Sequence, residues 1–139
     1  NCNILFNDIY ESKDLEQNNI TQVEKETIYT KSDFITIHTP LNVETDNLID
    51  LGAMTKMKNT AFLINTSRGK IINEKDLKFA LKNRIIAGAA LDVYEKEPPE
   101  DLELLKLDNI ICTPHIGGNS KEAVLAMGIS SIKHLVDFQ

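Results

Sequence analysis

The chain has 139 residues, 42% of them apolar and 26% charged, a balance that fits one folded domain with a sizeable core and excludes a disordered segment. A net charge of -6, a pI near 5.0 and no Lys/Arg stripe argue against a nucleic-acid backbone as partner. No apolar run nears the roughly 20 residues that cross a bilayer, and the opening NCNILFNDIY lacks the basic n-region of a signal peptide, so no membrane association is expected.

In chain order, NILF (Asn3 to Phe6) reads as a strand ending at Asn7-Asp8, and ITQV (Ile20 to Val23) as a weaker one. FITIHTP (Phe34 to Pro40) is β-branched, with a proline to terminate it. TAFLINTS (Thr60 to Ser67) is the next strand. NEKDLKFALKN then turns helical, with Leu77, Ala80 and Leu81 on one face, Asn73 as N-cap and Asp76 at the third position. IIAGAALDV (Ile85 to Val93) is a strand, EKEPPEDLELLKLD a loop broken by Pro98-Pro99, and NIICTP (Asn109 to Pro114) the last strand. The final segment puts Leu125, Ile129, Ile132 and Val136 on one helical stripe, flanked by Val124 and Leu135. Asn119, three residues before Glu122, resembles a capping box and sets the helix start just after Gly117-Gly118. The strands are almost continuously apolar, which suits burial on both faces. Alternating strands and helices predict a doubly wound α/β fold around a parallel sheet, with ligands beyond the carboxyl ends of the strands.

Polar residues collect at those ends. Asp8, Thr39, Ser67-Arg68-Gly69, Asp92 and His115 each fall at or just past a predicted strand. Arg68 offers a planar, permanently charged fork for a carboxylate, and the following Gly permits close approach; the alternative is a surface Arg in a turn. His115 can carry a proton near neutral pH if a carboxylate orients it, and Asp92 and Glu97 both qualify. A hydrogen-bonded turn histidine is the competing reading. Cys2 and Cys112 have neither a CxxC spacing nor a His-spaced partner. No metal site or disulfide is expected, and a reducing cytoplasm is the simpler inference.

Four stretches, SDFITIHTPLNVETDNLID, LINTSRGKIINEKDLKFAL, IAGAALDVYEKEPP and ICTPHIGGNSKEA, resemble in order the signatures of the D-isomer-specific 2-hydroxyacid dehydrogenases. That family includes phosphoglycerate, glycerate and D-lactate dehydrogenases. The resemblance implies a Rossmann-like NAD-binding domain that transfers a hydride between NAD(H) and a D-2-hydroxy or 2-oxo acid. It implies that Arg68 binds the substrate carboxylate and carbonyl oxygen, that His115 moves the hydroxyl proton, and that Glu97 pairs with His115. It places Asp92 near the nicotinamide carboxamide, and Thr39, Pro40, Thr66 and Ser67 along the cofactor cleft, with Arg68 and His115 also touching the cofactor. Gly117 and Gly118 let their loop pass close to the nicotinamide. Asp8, at the end of a dinucleotide-fold strand and followed by Ile9 and Tyr10 instead of Arg, is expected to favour NAD over NADP by binding ribose hydroxyls; a turn residue is the alternative.

The glycine-rich G-x-G-x-x-G turn is absent, and counting back about 20 residues from Asp8 runs past residue 1. Residues 1–139 therefore read as the C-terminal portion of a dinucleotide-binding domain cut from a longer chain, without its substrate domain. Alone it is expected to bind NAD weakly and not to turn over, and a homodimer is expected because the family pairs through this domain. Two alternatives share the motifs: an NAD(H)-sensing corepressor-like binding protein, and a formate or phosphite dehydrogenase relative. Glu97 counts against the formate enzymes, which typically pair the His with Gln.

Overall fold

The computed structural model describes residues 2–12 and 19–138. In chain order come β1 (Ile4–Phe6), β2 (Ile20–Gln22), α1 (Lys25–Lys31), β3 (Phe34–Ile37), α2 (Leu51–Met54), β4 (Phe62–Asn65), α3 (Glu74–Lys82), β5 (Gly88–Leu91), α4 (Leu102–Leu105), β6 (Ile110–Cys112) and α5 (Lys121–Asp137). A 3-10 turn at Gly69–Ile71 separates β4 from α3. Among the described residues all the strand pairings are parallel. β1 pairs with β2 in one sheet, and β3-β4-β5-β6 form a second in that order, with Ile37 opposite Asn65 and Asn65 opposite Leu91. Parallel neighbours need crossover connections, and α2, α3 and α4 provide them within the larger sheet. The predicted parallel α/β architecture is the observed one.

The helix starts show how the sequence writes this order. Asn73 caps α3 as expected, its Oδ1 accepting from Asp76 N at 3.1 Å. Asp76 in turn accepts from Leu51 N at 2.9 Å, while Asp50 accepts from Ala53 N at 2.8 Å, so two carboxylates hold the start of α2. The stretch expected as a loop contains α4. Asp101 caps it by accepting from Glu103 N and Leu104 N, Leu104 is fully buried, and Lys78 of α3 reaches Asp101 at 2.6 Å. At α5 the cap is Ser120, whose Oγ accepts from Ala123 N at 3.1 Å, and not Asn119. Asn119 N donates to Ile116 O at 2.9 Å, which closes a turn and delays the helix.

The strands are shorter than the apolar runs that announced them, and β3 and β4 are buried on one face only. Ile35, Ile37, Leu63, Ala89 and Leu91 lie in one cluster with Tyr29 of α1, Ala53 and Met54 of α2, Leu77, Ala80 and Leu81 of α3, and Leu104 of α4. Each large side chain there contributes about 1.5–3 kcal/mol by leaving water. The other face is open: Phe34 is 68% exposed and Ile111 70%. α5 has the stripe predicted for it, but Leu125, Ile129, Ile132 and Val136 are all exposed.

Candidate active site

The covered face fixes where the strands of the larger sheet end, and three of those ends build a cleft. β4 ends at Asn65, a fully buried amide. Its Nδ2 donates to Arg68 O at 2.9 Å, and its Oδ1 accepts from Ser67 N at 3.1 Å and Ser67 Oγ at 2.9 Å. A buried polar side chain thereby shapes the turn that presents Arg68, and its hydrogen bonds offset the cost of burying it. The Arg68 guanidinium is exposed and donates to Ser67 O at 2.7 Å.

β5 ends at Leu91, and the next residue, Asp92, is buried. Its carboxylate accepts from Thr113 Oγ1 at 2.5 Å, Ile116 N at 2.9 Å and Gly117 N at 2.8 Å. Burial alone would raise its pKa, but these three donors outweigh that and hold it below the usual carboxylate range. The donors span the segment that follows β6, so Asp92 anchors the loop of His115. His115 itself has φ of 54°, a left-handed conformation uncommon outside glycine. Gly117 is needed for close approach, since a Cβ there would lie 2.9 Å from Asp92 Oδ2.

His115 Nδ1 lies 2.8 Å from Glu97 Oε2, and Glu97 Oε1 accepts from Tyr94 N at 3.2 Å. The imidazole, then the Tyr94 amide, hold Glu97 below its ordinary range, so it stays ionised through mildly acidic pH. Nδ1 is thereby committed to Glu97, which leaves Nε2 to exchange a proton with a ligand. Tyr94 ties the arrangement to β6 by donating from its hydroxyl to Thr113 O at 2.9 Å.

Arg68, Glu97 and His115 line one open cleft of about 310 Å³, together with Leu41, Lys70 and Tyr94 among others. Of the residues singled out in the sequence, these three are brought together. Asp92 and Gly117 support the cleft from behind by their hydrogen bond. Thr66 and Ser67 precede Arg68 in its turn without lining it, and Gly118 faces open space. Asp8 stands apart on the two-stranded sheet, exposed, accepting from Tyr10 N at 3.1 Å. Beyond β3, Pro40 O accepts from Thr45 Oγ1 at 2.6 Å, while Thr39 Oγ1 is buried without a hydrogen-bond partner. Sequence reasoning missed Lys70, Leu41 and Glu95. Lys70 and Leu41 directly follow singled-out motifs, and that adjacency was the available signal. Among the described residues no group of His, Cys, Asp and Glu could hold a metal ion.

Comparison with known proteins identifies the family of the chain. The family model described as D-isomer specific 2-hydroxyacid dehydrogenase, NAD binding domain, matches residues 1–117. The chain is 43% identical over 137 residues to D-3-phosphoglycerate dehydrogenase of Archaeoglobus fulgidus, covering 97% of this chain and 26% of that protein. It is 41% identical over 138 residues to glyoxylate reductase of Korarchaeum cryptofilum, covering 98% of this chain and 42% of the relative. It superposes on D-lactate dehydrogenase of Aquifex aeolicus, solved with NAD and lactic acid, with a TM-score of 0.89 at 28% identity, over 96% of this chain and 45% of that one. The chain thus spans less than half the length of each of these proteins. With a parallel four-stranded sheet, three of whose strands end at one polar cleft, and a family match over most of its length, the chain belongs to the D-isomer specific 2-hydroxyacid dehydrogenases, as their NAD-binding domain.

Proposed function

We propose that this chain supplies the cofactor side of an active site in which a D-2-hydroxy acid and its 2-oxo acid are interconverted with NAD(H). The observation that carries the reading is the 2.8 Å contact between His115 and Glu97 on a cleft shared with Arg68. Bound NAD(H) supplies or accepts the hydride at the substrate C2. Arg68 binds the substrate carboxylate and polarises the carbonyl oxygen with its remaining N–H groups. During reduction His115 gives the Nε2 proton to that oxygen, and in the reverse direction it takes the hydroxyl proton. Glu97 stabilises the imidazolium and fixes which nitrogen is free. Such a positioned acid–base group is worth about 10²–10⁴ in rate.

On the cofactor side, Asp8 would accept from the ribose hydroxyls and disfavour a 2′-phosphate. Thr39, Pro40, Thr66 and Ser67 would line the cofactor path. The unpartnered Thr39 hydroxyl supports this, because a buried hydroxyl without a partner is costly and a bound ligand can satisfy it. Asp92 accepts three hydrogen bonds from its own chain, and a carboxylate has about four acceptor sites, so one remains for a carboxamide donor. Gly117 and Gly118 leave room for the nicotinamide beside the His115 loop.

The protein pairs with a second copy in a reducing cytoplasm. The exposed apolar stripe of α5, Leu125, Ile129, Ile132 and Val136, supplies surface for such a pairing. Both cysteines are free thiols, which suits a reducing compartment. In the full-length protein, His115→Ala is expected to lower kcat by about 10²–10⁴ while calorimetry shows NAD affinity within about twofold of wild type, a change of under ~0.5 kcal/mol. Unchanged turnover would remove His115 from the mechanism. The 139-residue chain alone is expected to bind NAD more weakly than about 10 μM and to show no turnover.

A further inference from the structure

We propose that Glu74 and Glu95 form a positioning pair that sets the spacing between Arg68 and the Glu97–His115 couple. The two carboxylates exchange backbone hydrogen bonds: Glu74 N donates to Glu95 Oε1 at 2.8 Å, and Glu95 N donates to Glu74 Oε1 at 2.6 Å. Glu74 is the first residue of α3, so the pair stitches the N-terminus of that helix to the segment beyond β5. Arg68 lies between β4 and α3, and Glu97 lies two residues past Glu95. Each half of the proposed site is therefore attached to one end of the stitch.

A second contact shows that the two segments are registered closely where they cross. Gly69, next to Arg68, packs so tightly that a Cβ there would lie 1.9 Å from both the carbonyl carbon and the oxygen of Tyr94. Tyr94 N also donates to Glu97, so the Tyr94–Glu95 backbone touches the Arg68 turn on one side and orients Glu97 on the other. The contact alone can slide or open, since it is repulsive at shorter range and weak at longer range. The reciprocal hydrogen bonds are directional and charge-assisted, and they hold it shut.

The arrangement is a costly way merely to cap a helix. Two like charges stand side by side, and among the described residues neither carboxylate has an ion pair with Lys or Arg. Burial, with the Glu95 charge adding to it, pushes the Glu74 carboxyl above its usual range. An Asx or Ser cap, as at α3 and α5, secures a helix start without a second acid. A loop held at a fixed distance from Arg68 is what the second acid adds.

The pair rests on the enzymatic reading for its purpose, but it can be tested without cofactor or substrate. In the chain itself, NMR titration of the Glu97 carboxyl in Glu95→Ala and in Glu74→Ala is expected to show its pKa moving up toward the ordinary range, as Glu97 leaves His115. Glu95→Gln, whose amide oxygen still accepts from Glu74 N, is expected to stay close to wild type. An unshifted Glu97 titration in both alanine variants would overturn the proposal. In the full-length protein each alanine variant should lower kcat about 10- to 100-fold with KM for NAD unchanged, because displacement by about 1 Å costs that much. The double variant should be no worse than the worse single one. Additive losses, or a raised KM for NAD with kcat intact, would equally reject a positioning role. Failure of the wild type to reduce any 2-oxo acid would reject the proposed activity, while the Glu97 titration would still decide the pair.

Discussion

The two faces of the β3–β6 sheet are built from the same four strands and end in opposite situations. One face sends Ile35, Ile37, Leu63 and Leu91 under four helices and leaves them almost without contact with water. The other carries Phe34, Phe62, Ile64 and Ile111, with the Phe34 and Phe62 rings stacked at 5.5 Å beside an apolar cavity of about 420 Å³. The apolar stripe of α5 is in the same position as that second face, fully formed and uncovered. Apolar content does not distinguish them; the presence of a partner does. The covered face fixes the register of the strand ends, and Asn65, Asp92 and the His115 loop inherit their positions from it. The open face and α5 are surface in search of cover.

The contrast can be broken by mutation. The largest expected effect is Leu63→Ala, a cavity in the covered face, which should lower unfolding free energy by about 2–5 kcal/mol in urea denaturation. Ile111→Ala, on the open face, should change it by about 0.5 kcal/mol or less in a dilute monomer. A loss above about 2 kcal/mol at Ile111 would show that this face is covered in solution. Next in size, if a second copy covers these surfaces, sizing chromatography should find a dimer that Ile129→Lys returns to monomer. A wild-type chain eluting at monomer mass would reject the pairing.

The smallest effect is on the pH dependence of stability. Glu26, Asp92, Glu97, Asp101 and Glu103 have pKa values lowered in the folded chain. Their contributions are complete above the unfolded carboxylate values near 4 and are lost as pH falls through the lower folded values. Glu74 has the opposite sign: its folded pKa is raised, so its contribution is present at low pH and lost as pH rises through that value. Five acids against one predict a Tm that declines in acid, with Glu74→Gln steepening the decline slightly. A Tm that climbs between about pH 5 and pH 3 would contradict those directions.

Much of the site was legible because chemistry and chain order coincide. Arg68 and His115 each follow an apolar run, so locating the strands located them. On residue chemistry Glu97 was one of two candidate partners for His115, and the family resemblance chose it. The structure separates them: Glu97 reaches the imidazole, and Asp92 turns inward to hold the loop backbone. That division depends on distances across segments 18 and 24 residues apart, which no local pattern encodes. Glu95 was passed over for the same reason, since its partner Glu74 lies 21 residues away on another element. The misplaced cap at α5 has a local cause: Asn119 and Ser120 are both good caps, and a single turn hydrogen bond from Asn119 N decided between them.

By itself, the sequence determined the parallel α/β class, the order of strands and helices, the α3 cap at Asn73 and the family, because periodicity, capping chemistry and motif order are local properties of the chain. Only the tertiary structure decided that Asp92 turns inward to hold the loop backbone, which face of the sheet is covered, and that Gly69 must pass against Tyr94. Those outcomes rest on side chains and backbones far apart in sequence meeting within a few ångströms. The strand register and the helix layer above it set those meetings.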